Sequence, residues 1–377
     1  MHSYTPGMRR TALIGLLGLL SAVLIAGTVG FVSPVGAAPK PGASCPTVGK
    51  KVVTAQWVFT CTKKKGAGLV WVRKARPAPT PSPTPTPSPS PTPSNNAEIA
   101  SLSFPATRGA ERPPPEGEGG QGPWSTGMAV SASPNGTSFP TSSSVIDQAG
   151  VPSLLALPDG RLLAYFVSWA QRNVMAVGIR DTAGAWTYYR VAVEGFRTDV
   201  GGANGVDPSA VLMADGSIRL FWMQPVGTPG RSQIYSATSA PGTALGVRFV
   251  VDPGARLDRG TMVYDPTVAH CGGEWLMWVS ASSADVFATS SDGLSFTEQS
   301  MPPGLGTAFP WSAACLADGR TRLLASRGPS AGLPFVGSAT GFVEDGPSVL
   351  PTGALPDAGW ARLSDGTWAL AYLQPIS

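Results

Sequence analysis

The sequence predicts an all-β fold, and three observations predict it. Short apolar runs of strand length alternate with clusters of Gly, Asp, Ser and Pro. Asp-Gly pairs punctuate those runs at Asp159-Gly160, Asp215-Gly216, Asp318-Gly319 and Asp365-Gly366. Each pair is a hairpin signal, expected as a type I′ turn, which needs positive φ at both central residues. Finally, one plan recurs along the chain, and a repeat outranks any local motif.

The plan is clearest from Asp265 to Phe296. Asp265-Pro266-Thr267 opens a strand, Gly272-Gly273 turns it, and Glu274–Ser280 returns as an apolar, aromatic strand. Val286–Ser290 forms a third strand, and Ser291-Asp292-Gly293 turns toward Phe296. Similar copies open at Val151, Asp207 and Pro310. Half a copy begins at Pro356, and its missing half stands at the other end, Gly127 to Phe139. The openings fall roughly 45 to 58 residues apart, close to the length of a four-stranded propeller blade. Four whole copies and one split between the termini predict a five-bladed β-propeller at 127–377. In such a ring the N-terminal strands complete the blade that the C-terminal strands begin, leaving no free sheet edge. An open β-sandwich is the alternative, but a sandwich has no reason to repeat both turns in order.

The rest of the chain is organised in front of that domain. Residues 1–38 have the pattern of a signal peptide: Arg9 and Arg10, an apolar run from Thr11 to Val32, then small residues at Val35-Gly36-Ala37. Cleavage is expected near Ala37 or Ala38, with an uncleaved membrane anchor as the alternative. Either way the remainder is exported, secreted or held at the cell surface. Residues 39–76 carry nine Lys and Arg and no acid. Cys45 and Cys61 are expected to staple them into a hairpin, since an exported chain meets an oxidising compartment. The pattern of two cysteines and a terminal Val-Trp resembles a short module at the N-termini of secreted bacterial proteins. It reads either as an electrostatic attachment to an anionic surface or as a basic spacer. Residues 77–96 alternate Pro with Thr and Ser, a stiff extended linker. Residues 97–126 read as an irregular lead-in.

Charge is divided unevenly. From residue 77 onward there are 16 Arg and no Lys against 23 acids, a net of −7. That argues against nucleic acid as a ligand of the main domain. The only membrane contact expected is through an uncleaved leader, and the domain is expected as a monomer.

Chemistry is sparse. Outside the leader there is one histidine, His270, so neither a His metal site nor a Ser-His-Asp triad is expected. No cofactor is expected, although paired aspartates also suit calcium. Cys271 and Cys315 stand in the opening strands of consecutive copies and are expected to form an inter-blade disulfide. The opening residues of consecutive copies, Asp207 and Asp265, should meet at one mouth of the channel. Paired acids there suit glycoside cleavage, one acid protonating the leaving oxygen while the other activates water or attacks. An Asp before Pro also shapes the turn into a strand, so a structural role stands beside the catalytic one. Polar, Gly-rich loops lead into both openings. Their Asp199, Asn204, Arg256, Asp258 and Arg259, with Tyr264 and a stacking Trp311, are candidate substrate-binding residues.

The repeated plan Asp-Pro-Ser/Thr, Asp-Gly, aromatic strand, Ser-Asp-Gly resembles the five-bladed propellers of arabinanase- and levansucrase-type glycoside hydrolases. The turns Ser290–Phe296 and Ser133–Phe139 also resemble sialidase Asp-box turns, one residue shorter than the usual form. The resemblance implies Asp207 as catalytic base and Asp265 as pKa modulator, with a glutamic acid from the next blade. Pro310–Cys315 has no glutamate, which departs from that pattern. A sialidase would need three arginines, and Arg108, Arg172, Arg197 and Arg259 are available. The reading is an exported propeller that binds or hydrolyses glycans at the channel mouth. A protein-interaction propeller at the cell surface is the alternative.

Overall fold

A computed structural model describes residues 39–53, 57–66, 68–75, 99–117, 120–196, 205–227, 229–239, 246–282, 284–328 and 331–376. The leader and the Pro/Thr/Ser linker lie outside these residues. The chain forms two compact units, one holding residues 39–75 and the other residues 99–376.

In the small unit, β1 (Lys51–Val53), β2 (Trp57–Lys64) and β3 (Gly68–Ala75) form one antiparallel sheet in that order. Alternation along β2 buries Phe59 and Cys61 on one face, against Trp71 and Cys45. So few residues bury little apolar surface. The Cys45–Cys61 disulfide, S–S 1.94 Å, adds stability by restricting the unfolded chain.

The large unit is all-β with a single helical turn at 99–102. Its first sheet orders β4 (Ser103–Phe104), β10 (Trp186–Arg190), β9 (Val174–Arg180), β8 (Leu162–Ser168) and β7 (Ala149–Ala156). The lead-in is therefore not wholly irregular, because β4 pairs with β10 as an outermost strand. The second sheet orders β11 (Ala192–Glu194), β15 (Arg248–Val251), β14 (Ser232–Thr238), β13 (Ile218–Pro225) and β12 (Val206–Leu212). The third runs β16 (Val263–Cys271), β17 (Glu274–Ala281), β18 (Val286–Ser290) and β19 (Thr297–Gln299). The fourth runs β20 (Phe309–Cys315), β21 (Thr321–Ser326), β22 (Gly332–Ser338) and β23 (Gly341–Glu344). The fifth joins β24 (Leu355–Arg362) and β25 (Trp368–Pro375) to β5 (Thr126–Ser133) and β6 (Ser144–Asp147), so chain segments near both ends share one sheet.

The first strands of the sheets touch in sequence. β7 meets β12, β12 meets β16, β16 meets β20, β20 meets β24, and β24 returns to β7. Period-two alternation explains how each sheet serves two neighbours. Along β17, Trp275, Met277 and Val279 face the second sheet, while Leu276 and Trp278 face the fourth. Apolar layers accordingly fill every gap, including the one between the fifth and first sheets, where Ala369 and Ala371 pack with Leu162 and Phe166.

The turns differ from expectation. At the four Asp-Gly pairs only the glycine has positive φ, 82° to 88°, and the Asp carboxylate accepts the amide two residues on, as Asp159 does from Arg161. These are type I turns closed by a left-handed Gly, not type I′ turns. Gly272-Gly273, with φ of 62° and 83°, supplies the two-residue turn with positive φ at both positions.

Two Asp-box-like turns anchor neighbouring sheets. Asp292 Oδ1 accepts from the amides of Leu294 and Ser295, and Ser290 Oγ accepts from the Gly293 amide. Asn135 and Ser133 build the same turn before Phe139. Arg219 of the second sheet donates to the Asp292 carbonyl and lies 5.3 Å from the Trp275 ring. Arg322 of the fourth does the same with the Asn135 carbonyl and Trp368, at 4.8 Å. A Cβ on Gly293 or Gly136 would strike that Arg-Trp pair. The Cys271–Cys315 disulfide, S–S 2.07 Å, ties the third and fourth sheets at the far ends of their first strands.

Candidate functional site

The site is built where the first strands begin. Each opens on a bulge, with the register breaking between Gly150 and Ser153, Val206 and Ser209, Tyr264 and Thr267, Pro310 and Ser312, and Leu355 and Ala358. Bulges re-aim side chains. Here they turn Val151, Asp207, Asp265 and Asp357 into left-handed backbone, with φ of 51°, 58°, 50° and 69°. Asp tolerates that region through local hydrogen bonds, whereas a β-branched Val there is strained. After the bulge a hydroxyl locks each strand to the next. Ser153 Oγ accepts from the Ala210 amide, Ser209 Oγ from Val268, and Ser312 Oγ from Trp360. Thr267 Oγ1 instead donates to the Pro310 carbonyl. The fifth sheet has no hydroxyl there, and its Gly359 packs directly on Pro152, where a Cβ would stand 2.5 Å from the carbonyl oxygen.

The bulges enclose a small cavity lined by Val151, Asp207, Asp265, Thr267, Trp311 and Asp357 among prolines. Its volume is about 20 Å³, room for a water rather than a sugar ring. Among the described residues, no Lys or Arg lines it. Asp207 is 3% exposed; Asp265, Asp357 and Trp311 are half-buried. The Asp265 amide donates to Asp207 Oδ2 at 3.3 Å, and the two carboxyl groups perturb each other. Burial pushes the Asp207 carboxyl up to about 7, with the Asp357 charge adding to the rise. Burial, then Asp207, then Asp357 hold Asp265 well above the usual carboxylate range. Asp357 rises to about 6 through burial. Three acids at one mouth thus carry fewer than three charges near neutral pH, the pattern by which close carboxyl groups share protons. Among the described residues, no group of three or more His, Cys, Asp or Glu is arranged to hold a metal ion.

Of the residues expected from the sequence, Asp207, Asp265 and Trp311 line one cavity. Arg256, Asp258, Arg259 and Tyr264 do not line it. Arg256 is buried and donates to the carbonyls of Pro253, Gly254 and Leu294. Asp258 pairs with Arg231 at 2.6 Å, and Arg259 with Glu298 at 3.3 Å. Tyr264 is half-buried on β16. Asp199, Asn204 and Arg197 lie outside the described residues. His270 stacks on Trp275, with centroids 4.6 Å apart. The third acid comes from the fifth sheet, not the fourth. Asp357 follows its proline rather than preceding it, so it escapes a search for Asp-Pro openings. The fourth bulge is a residue shorter and presents Trp311 instead.

No protein-family model and no curated protein matches the chain. Solved structures with a similar arrangement include glycoside hydrolase propellers. A family 117 glycoside hydrolase of Zobellia galactanivorans aligns over 67% of this chain and 92% of its own, with TM-score 0.41 and 14% identity. An α-L-arabinofuranosidase of Lactobacillus brevis aligns over 58% and 80%, with TM-score 0.41 and 12% identity. A Hadza microbial sialidase aligns over 56% and 49%, with TM-score 0.39 and 15% identity. Likeness at this level assigns no activity.

Proposed function

We propose that the chain is an exported, glycan-active β-propeller whose five sheets are the blades of a ring closed by its two ends. Its working site is the mouth bearing Asp207, Asp265 and Asp357. The observation that supports this is three carboxyl groups with raised pKa values around a water-sized cavity, beside a half-buried indole. Strained backbone and perturbed acids gathered in one place mark functional sites more often than structural ones.

The roles differ from a simple pair of acids. Glycoside cleavage needs carboxyl groups about 5 to 9.5 Å apart. The Asp265 amide donates to Asp207 Oδ2 and the two carboxyl groups perturb each other, so they are not assigned as that pair. They act instead as one dyad that supplies a proton to the leaving oxygen. Asp357, ionised above about pH 6, is the base or nucleophile. A sugar lies across the mouth on Trp311, and only water or the glycosidic oxygen reaches between the acids. Two disulfides suit an oxidising, extracellular setting, and no helix among the described residues is long and apolar enough to cross a membrane.

The test is a screen of the exported chain on arabinan, fructan and sialoside panels, beside Asp357→Asn and Asp207→Asn. Turnover of a neutral glycan that falls at least 100-fold in both variants supports hydrolysis. Glycan-array binding without turnover, lost in both variants, leaves a lectin. Neither turnover nor binding removes the glycan reading.

A further inference from the structure

The small unit carries an inference independent of the central mouth. Its residues 40–75 include seven Lys and one Arg and no Asp or Glu, and all eight cations are exposed. No acid within the unit offsets them.

Strand register sorts these charges by face. The core face holds Phe59, Cys61 and Trp71, and on it the Arg73 guanidinium lies 4.2 Å from the Trp57 ring. The opposite face carries Lys51, Lys64 and Lys74. Lys51 stands beside Thr60, Thr60 beside Val72, and Val58 beside Lys74. None of these belongs to the unit's core, and Val72 is 46% exposed. The disulfide lies on the opposite side, and this face is open except at Val70, which is buried beside Ser44. With strands about 4.8 Å apart and residues about 3.3 Å apart along them, the three Lys Cα atoms are spread over roughly 12 to 20 Å. That spread cannot converge on one small anion. It fits an extended chain of repeated charges, crossed by a threonine hydroxyl that can donate to it. Each Lys ammonium is a compact point charge of the kind that binds phosphate without a fork.

We propose that this open face binds a linear phosphate-backbone polymer, laid across the three strands over Lys51, Thr60, Lys64 and Lys74.

The test measures binding of the exported chain to long-chain inorganic polyphosphate. The expected result is binding at 50 mM salt that weakens at least tenfold by 300 mM, as counterion release requires. Lys51→Gln, Lys64→Gln and Lys74→Gln combined should weaken it at least tenfold. A control of equal charge, Lys40→Gln, Lys50→Gln and Lys63→Gln combined, should weaken it less than threefold. If the first triple variant misfolds, the single Lys51→Gln and Lys74→Gln chains should each lose more affinity than the single Lys50→Gln chain. No binding by the unaltered chain, or equal loss in the two sets, overturns the proposal. So does binding to polyglutamate or to phosphatidylglycerol vesicles as tight as to polyphosphate. Sugar release is read separately, so failure here and failure at the mouth remain distinguishable.

Discussion

The first strands of the sheets carry aspartates at one end or the other, and those of the second and fifth sheets at both; the two ends treat them oppositely. At the bulges, Asp207, Asp265 and Asp357 sit among prolines, and burial raises all three. At the hairpins, Asp159, Asp215, Asp318 and Asp365 accept hydrogen bonds from their own turns and are held below the usual range. Asp292 in the Asp-box-like turn is lowered further by the amides of Ser295 and Leu294. Residue type is constant; the difference lies in whether donors or apolar walls meet the carboxylate. The far ends also hold the Cys271–Cys315 disulfide and lie near the arginine clasps. One end is organised for stability, and the other holds protons at some cost to it.

The largest effect should break that contrast. Asp207 binds a proton up to about pH 7 when folded, and the ordinary value for its carboxyl is 3.8. The folded state therefore holds more protons than the unfolded one between those values. Stability is fully present below about pH 4 and lost as pH rises through 7. For this buried group the difference amounts to a few kcal/mol. Asp207→Asn should raise Tm at pH 8, flatten the fall in Tm between pH 5 and 8, and abolish any turnover. Thermal melts across pH check this; a variant less stable at pH 8 than the parent would refute the account. Turnover itself should peak between about pH 6, where Asp357 ionises, and about pH 7, where Asp207 loses its proton.

Removing the tie at the far end should cost somewhat less. Cys271 and Cys315 are 44 residues apart, so Cys271→Ala with Cys315→Ala should cost about 3 to 4 kcal/mol by the chain-entropy argument. Urea melts measure it, with glycan turnover retained below the shifted midpoint. The clasps come next. Arg322 is 5% exposed, stacks on Trp360 and Trp368, and donates to the Asn135 carbonyl. Arg322→Met keeps much of the bulk and loses the charge, so a loss of about 1 to 3 kcal/mol is expected.

Much of this was legible beforehand for a physical reason: five sheets built on one plan need repetition, and repetition shows in one sequence. The split copy pointed to the shared sheet of β24, β25, β5 and β6. The two cysteines in consecutive openings pointed to their disulfide. The bulge was not legible, because a positive φ at Asp207 or Val151 leaves no distinct residue signature. Asp357 was missed because the fifth sheet reaches the same slot with Pro and Asp exchanged. The clasps were hidden too. Arg219 and Arg322 each lie four residues after a turn aspartate, where the first and fifth sheets have Leu163 and Ala369. Only the three-dimensional order shows that both arginines precede a sheet with an Asp-box-like turn.

The smallest effect sharpens the comparison within the far end. Asn135 Oδ1 accepts from the Thr137 amide and hydroxyl at 3.1 and 2.8 Å. Asp292 Oδ1 accepts from two amides at 2.8 Å. The geometry is shared and the charge is not. Asn135→Asp should convert the neutral bonds into charge-assisted ones without moving the turn. Its carboxyl pKa should then fall below the unfolded value, so the added stability appears above about pH 4 and vanishes as pH drops through the folded pKa. A rise in Tm of about 1 to 2 °C at pH 7 is expected, with no difference from the parent at pH 2.5. A rise that persists at pH 2.5 would mean the gain is steric. No rise at pH 7 would mean that donor geometry, not charge, sets the strength of these turns.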